Sequence, residues 1–117
     1  IEKQAGEGLT ANVFKAVRRD SRGHSRQTVA LKILKSETAI PWLRREFDTL
    51  ARVNSPHCVR VLAWENGNDG CALVLEWIDG TTLYDFAKYD AIPPELVEEI
   101  VAQIALGLGD LAREGLY

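Results

Sequence analysis

The sequence predicts an α+β fold: an antiparallel sheet interrupted by one helix, with further helices closing the chain. Three observations predict it. Short runs rich in branched apolar residues, divided by turn-forming residues, fill the first third. One stretch of three- and four-residue apolar spacing begins near Pro41. A longer stretch of the same kind opens at Pro93 and runs almost to the end.

The elements follow in order. Residues from about Ile1 to Glu7 read as a short strand leading into Gly6-Glu7-Gly8. Asn12 to Arg19, with Val13, Phe14 and Val17, is a second strand. Asp20-Ser21-Arg22-Gly23-His24-Ser25 is small, polar and glycine-containing, which is turn chemistry. Thr28 to Leu34 is a third strand. Pro41 suits a first helical turn, and Leu43, Phe47, Leu50 and Ala51 form an amphipathic stripe behind it. Asn54-Ser55-Pro56 ends that helix. Cys58 to Glu65 and Cys71 to Trp77 are two more strands around the hairpin signal Asn66-Gly67-Asn68-Asp69-Gly70. Thr81 or Thr82 caps a short helix through Leu83 and Phe86. Pro93-Pro94-Glu95 opens a long helix whose apolar positions include Val97, Ile100, Val101, Ile104, Leu108 and Leu111. Gly115 is its expected C-cap. Gly107 and Gly109 weaken it locally, where another backbone is expected to pack close. Strands in sequence joined by short turns imply antiparallel pairing.

Composition bounds the function classes. The 117 residues are 46% hydrophobic and 26% charged, which fits a folded, soluble chain. The net charge of −3 and the lack of any long Lys/Arg block argue against nucleic acid as a partner. Cys58 and Cys71 belong to no C-x-x-C pair, and His24 and His57 form no ligand-spaced cluster with them. Two reduced thiols in a cytoplasmic protein are expected, with no metal site. No apolar run reaches the ~18–20 residues of a membrane span. The chain starts at Ile1 and contains no Met, so it reads as a segment of a longer protein.

Three features bear on chemistry. Gly6 and Gly8 let backbone N–H groups approach a phosphate; a plain glycine hairpin would look the same. Ala30 and Lys32 are two apart on a strand and share a face, so a flat ring over Ala30 would leave phosphates near the ammonium. Alone, Lys32 also reads as a lysine snorkelling at a strand end. Glu46 sits at the edge of the buried helical stripe, one turn before Leu50, where a carboxylate can reach a lysine on the adjacent strand. Beside Arg44 and Arg45 it also reads as a solvated helix charge.

Together these features resemble the protein kinase family. Its G-x-G-x-x-G-x-V loop aligns with Gly6-Glu7-Gly8-Leu9-Thr10-Ala11-Asn12-Val13, and its V-A-I-K with Val29-Ala30-Leu31-Lys32. Glu46 falls where the family's helix glutamate is expected. Leu73-Val74-Leu75-Glu76-Trp77-Ile78-Asp79-Gly80 looks like the fifth strand and hinge. Leu111-Ala112-Arg113-Glu114-Gly115-Leu116-Tyr117 resembles the stretch just before the H-R-D motif.

The resemblance implies a five-stranded antiparallel N-lobe sheet with one αC-type helix over residues 1–78. Residues 79–117 would then be the hinge exit and first two helices of an incomplete helical C-lobe. Ala5, Gly6, Glu7 and Gly8 would cover the ATP phosphates. Val13 and Ala30 would sandwich the adenine. Lys32 would hold the α- and β-phosphates and pair with Glu46. Leu75 would be the gatekeeper, Glu76 and Ile78 would bond the adenine edge through their backbones, and Thr82 would lie near the ribose. Leu50 and Val61 would join the apolar stack between lobes. Mg²⁺ is implied, but its ligands and the catalytic Asp would lie beyond the chain. The third loop glycine is replaced by Ala11, whose Cβ would stiffen the loop.

The implied function is γ-phosphoryl transfer from ATP to Ser/Thr hydroxyls of a protein substrate by the parent. The alternatives are a pseudokinase acting as a nucleotide-responsive scaffold, and a small-molecule kinase with a similar upper lobe. The segment alone is expected to be inactive. It is also expected to self-associate through the helix of residues 94–114, which would leave ~400 Å² or more of apolar surface exposed.

Overall fold

The computed structural model describes residues 3–7, 11–20, 22–67, 70–89 and 91–115; for residues 3–7, Gly67 and Tyr89 it describes the backbone alone. The elements are β1 (Lys3–Glu7), β2 (Ala11–Arg19), β3 (Arg26–Leu34), a 3-10 turn (Glu37–Ala39), α1 (Ile40–Ala51), β4 (Val61–Gly67), β5 (Gly70–Glu76), α2 (Leu83–Tyr89) and α3 (Pro94–Arg113).

The strands pair antiparallel in one sheet, in the order β1-β2-β3-β5-β4. Side-chain burial is described for the four strands β2 to β5. β5 lies between β3 and β4, so the two strands that precede and follow α1 are not neighbours. The helix therefore crosses over one face of the sheet, where Leu43 meets Leu73 and Leu75.

Alternation along the strands divides the apolar residues into two clusters. On one face Ala16, Val29 and Val74 pack with Leu31, Leu62 and Ala63. On the other, Leu43, Leu73 and Leu75 pack with Ala30, Leu34, Phe47, Leu50, Val59, Val61 and Trp64. Leu43 and Leu73 are the largest fully buried side chains among the described residues. Each contributes about 1.5–3 kcal/mol of burial. Leu50 and Val61, expected in the apolar stack, both belong to the second cluster.

The β2–β3 turn is held by Asp20. Its carboxylate accepts from the N–H of Arg22 (3.1 Å) and His24 (2.7 Å) and from the Ser25 hydroxyl (3.1 Å). Gly23 takes φ +69°, a left-handed conformation that costs a residue without a Cβ little.

One expectation is corrected, and one element is new. The fourth strand begins at Val61, not Cys58. Residues 56–58 form a turn, with Cys58 N–H donating to Ser55 O (3.3 Å) and His57 N–H to Ser55 Oγ (3.1 Å). The 3-10 turn before α1 was not foreseen; Ser36 caps it by accepting from Thr38 N–H (3.3 Å).

α3 packs on that same turn. A Cβ placed at Gly107 would lie 3.1 Å from the His57 carbonyl oxygen, so glycine here allows a close backbone approach. Ser55 Oγ donates to the Asp110 carboxylate, and Asp110 also pairs with Arg113. Arg52 Nη2 donates to the Glu114 carbonyl (3.4 Å). At the helix end, Gly115 has φ +69° and its N–H donates to Ala112 O (2.9 Å), the expected C-cap.

Candidate functional site

The site begins with strand register. Val13 of β2 stands opposite Lys32 of β3, and Lys15 opposite Ala30. On the other side of β3, Ala30 faces Leu75 and Lys32 faces Leu73. Residues directly opposite on paired strands share a face. Val13, Lys15, Ala30, Lys32, Leu73 and Leu75 therefore line one side of the sheet, the side α1 covers.

α1 is fixed there by Leu43, which is 2% exposed, and by half-buried Phe47 and Leu50. Glu46 is one turn beyond Leu43 and one before Leu50. Its carboxylate consequently reaches the sheet at the rim of the apolar contact. Lys32 Nζ donates to Glu46 Oε1 at 3.0 Å and to Oε2 at 2.8 Å. The side chains are 24% and 36% exposed. A partly sheltered pair of this kind is stronger than a fully solvated one, yet each charge keeps access to an incoming ligand. Arg44, on the outer side of α1, is engaged elsewhere: it stacks over Phe47 and Trp64 and pairs with Asp48 at 3.4 Å.

The other sequence-predicted residues are placed as follows. Gly8 lies outside the described residues. Gly6 and Glu7 are in β1, paired with Val13 and Asn12. Ala5 falls where the register shifts between Gln4 and Gly6. Ala11, read as a loop residue, is in β2 opposite Leu34 and only 1% exposed. Its side chain is packed into the sheet.

Leu75 is 9% exposed and stands opposite Ala30 on the shared face. Glu76 ends β5 with two bonds to Arg60: its N–H donates to Arg60 O (2.9 Å), and its Oε1 accepts from Arg60 N–H (2.8 Å). Ile78 lies past the strand and is 63% exposed. Thr82 is the residue that caps α2. Its Oγ1 accepts from Asp85 N–H (3.1 Å) and its carbonyl from Phe86 N–H (2.9 Å).

One contributor was missed. Lys15 Nζ sits 5.2 Å from the Trp77 ring centroid, which joins β2 to the segment leaving β5. Their separation in sequence left no local signal. The assembled face holds an ammonium oriented by a carboxylate, a small residue beside it and apolar neighbours on both sides. It can attract an anionic group next to a flat apolar one. Among the described residues no group of three or more His, Cys, Asp or Glu could hold a metal ion. No described helix is long and apolar enough to cross a membrane.

Comparison with known proteins identifies the family. The family profile described as the protein kinase domain matches residues 1–116. Serine/threonine-protein kinase PkaA of Streptomyces coelicolor is 30% identical, covering 99% of this chain and 24% of its own length. Serine/threonine-protein kinase RAD53 of Saccharomyces cerevisiae is 30% identical over 99% of this chain and 14% of its own. PknD of Mycobacterium tuberculosis, also named a serine/threonine-protein kinase, is 33% identical over 95% and 17%. The chain thus spans about a quarter or less of these relatives. The crystal structure of Rad53 1-466 in complex with AMP-PNP superposes with a TM-score of 0.80 and 28% identity, over 98% of this chain and 30% of that one. A match this long, in sequence and in three dimensions, makes the chain a member of the protein kinase domain family.

Proposed function

We propose that this chain is the nucleotide-binding part of a Ser/Thr protein kinase whose parent transfers the γ-phosphoryl group of ATP to protein hydroxyls. Residues 1–78 would form the N-lobe, and 79–117 the hinge exit and first C-lobe helices. The observation that carries the reading is the Lys32–Glu46 pair, which holds an ammonium on the inner face of the sheet.

The residues present fit an adenine nucleotide. Ala30 offers only a methyl between Leu75 and Lys15, so a planar ring meets little obstruction there. Val13 supplies an apolar neighbour on the same face. The related Rad53 structure contains AMP-PNP, which supports ATP as the ligand here. When bound, ATP supplies the phosphoryl group to be transferred, and Mg²⁺ would neutralise part of its charge. No residue of this chain is proposed as a Mg²⁺ ligand.

The chain's own contribution is positioning. Glu46 fixes the Lys32 ammonium, and Lys32 orients anionic phosphate oxygens through a charge-assisted bond. The backbones of Ala5, Gly6, Glu7 and Gly8 would cover those phosphates, and those of Glu76 and Ile78 would meet the adenine edge. Leu75 limits the depth of the pocket. Thr82 would meet the ribose while its Oγ1 still caps α2.

The test is Lys32→Ala in the full-length protein. Transfer from ATP to protein should fall by about 10²–10³, the usual cost of losing one preorganised charge partner. Thermal stability should stay close to wild type. Undiminished turnover in that variant would overturn the assignment. Nucleotide binding without any transfer in the wild-type parent would instead favour the scaffold reading.

A further inference from the structure

We propose that the outer end of the β2–β3 hairpin is a docking site for an acidic polypeptide segment, recognised by Arg18, Arg19, Arg22 and Arg26. None of these residues belongs to the nucleotide face just described, so the proposal stands apart from it.

The charge arrangement carries the argument. Arg19 and Arg26 are directly opposite at the last register pair of β2 and β3. Like charges in that position oppose pairing, since the Cβ atoms are only about 4.5–5.5 Å apart. Arg18 follows the strand alternation onto the other face, opposite Gln27, and Arg22 is in the turn; all four are exposed. No described ion pair or side-chain hydrogen bond engages any of the four guanidinium groups. The acid within reach by sequence, Asp20, is already committed to the N–H groups of Arg22 and His24 and to the Ser25 hydroxyl. A cluster of positive charge therefore stands at the tip of a chain whose net charge is −3. Arg18, Arg19, Asp20, Ser25 and Gln27 line an open depression there of about 320 Å³; Arg22 and Arg26 lie outside its lining.

The short extent of the patch favours an acidic peptide segment over a polyphosphate backbone or a lipid surface. Guanidinium groups bind carboxylates in two-point fashion, and discrete acids can sit between discrete arginines. The patch occupies the last two register pairs and the turn, too short to track a nucleic-acid strand.

The test uses the full-length protein and a fluorescent, Glu/Asp-rich peptide, followed by anisotropy at low salt. Single-stranded oligonucleotide and anionic vesicles serve as competing probes. Saturable peptide binding is expected, weakened about tenfold or more by Arg19→Gln with Arg26→Gln and further by Arg19→Glu with Arg26→Glu. Arg44→Gln, on α1, should leave it unchanged. Thermal unfolding of each variant confirms the fold, and the glutamine pair serves if the reversed pair unfolds. Absence of peptide binding, equal binding to the folded variants, or tighter capture of oligonucleotide or vesicles would each overturn the proposal.

Discussion

Alanine at Gly107 and at Gly109 should shift stability in opposite directions, although the two lie on the same helix. Replacing glycine in a helix interior gains about 1 kcal/mol from backbone entropy and propensity. At Gly109 a new Cβ meets only the end of the flexible Arg113 side chain, at 3.9 Å. The gain is kept, and Gly109→Ala should stabilise by about 0.5–1 kcal/mol. At Gly107 the Cβ would sit 3.1 Å from His57 O, 3.4 Å from His57 Cβ and 3.7 Å from Cys58 Sγ. The nearest atom is backbone, in a turn tied by the Cys58 and His57 N–H bonds to Ser55. It cannot swing away as a side-chain tip would. Overpacking of this kind costs about 1–3 kcal/mol, which exceeds the gain, so Gly107→Ala should lose roughly 1 kcal/mol. Both substitutions add the same methyl, so their difference isolates the contact. Urea unfolding of the two variants in the full-length protein measures it. Equal or greater stability of Gly107→Ala relative to Gly109→Ala would show that α3 does not press on the 56–58 turn.

Further outcomes are expected. Glu46→Gln should lower stability by less than about 1 kcal/mol, because the pair is partly exposed. Its transfer activity should nevertheless fall about 10²-fold, through a poorly held Lys32; a loss accounted for by reduced stability alone would deny Glu46 a positioning role. The Asp20 carboxyl is held below its ordinary range, chiefly by the His24 N–H and then by the Ser25 hydroxyl. A lowered folded pKa means the contribution is complete above the unfolded value of about 3.9 and disappears as pH falls through the folded one. Asp20→Asn should thus flatten the acid limb of the urea midpoint below about pH 4; an unaltered limb would remove Asp20 as its source. On α3, Ile104, Leu106 and Leu108 are 52%, 55% and 48% exposed. The 117-residue chain alone should therefore elute as an associated species, and a sharp 13.0 kDa monomer at high concentration is the contrary result.

What the sequence disclosed was periodic or local. Alternation placed Ala30 and Lys32 on one face, and helical spacing put Glu46 at the rim of the Leu43–Leu50 stripe. Those two facts permit the ion pair, and the family resemblance implied it. Glycine inside an apolar helix asks for a close neighbour, an expectation met at Gly107 and not at Gly109, where a Cβ would meet only the tip of Arg113. The misses are contacts between distant positions. Cys58 has strand-like company in sequence, but the 56–58 turn is set by Ser55 and by α3 packing on it. Arg60 N–H bonds the Glu76 carboxylate, and Ser55 bonds Asp110; neither partner is marked by spacing. Lys15 reads as an ordinary strand lysine until Trp77 is brought beneath it. The choice between Thr81 and Thr82 as cap turns on which hydroxyl faces Asp85 N–H, and it is that of Thr82.

The order of the strands also governs how the chain is made. β3 bonds to β5, a strand that leaves the ribosome only after α1 and β4. Until then the Val29-Ala30-Leu31-Lys32-Ile33-Leu34 edge has no partner on that side. A nascent chain would present an unfilled, largely apolar border to anything extended nearby. Closing it requires pairing across a long loop, the slow class of folding event. The platform that carries Lys32 is thus complete only once β5 slots in, and chaperone demand during synthesis should peak in that interval.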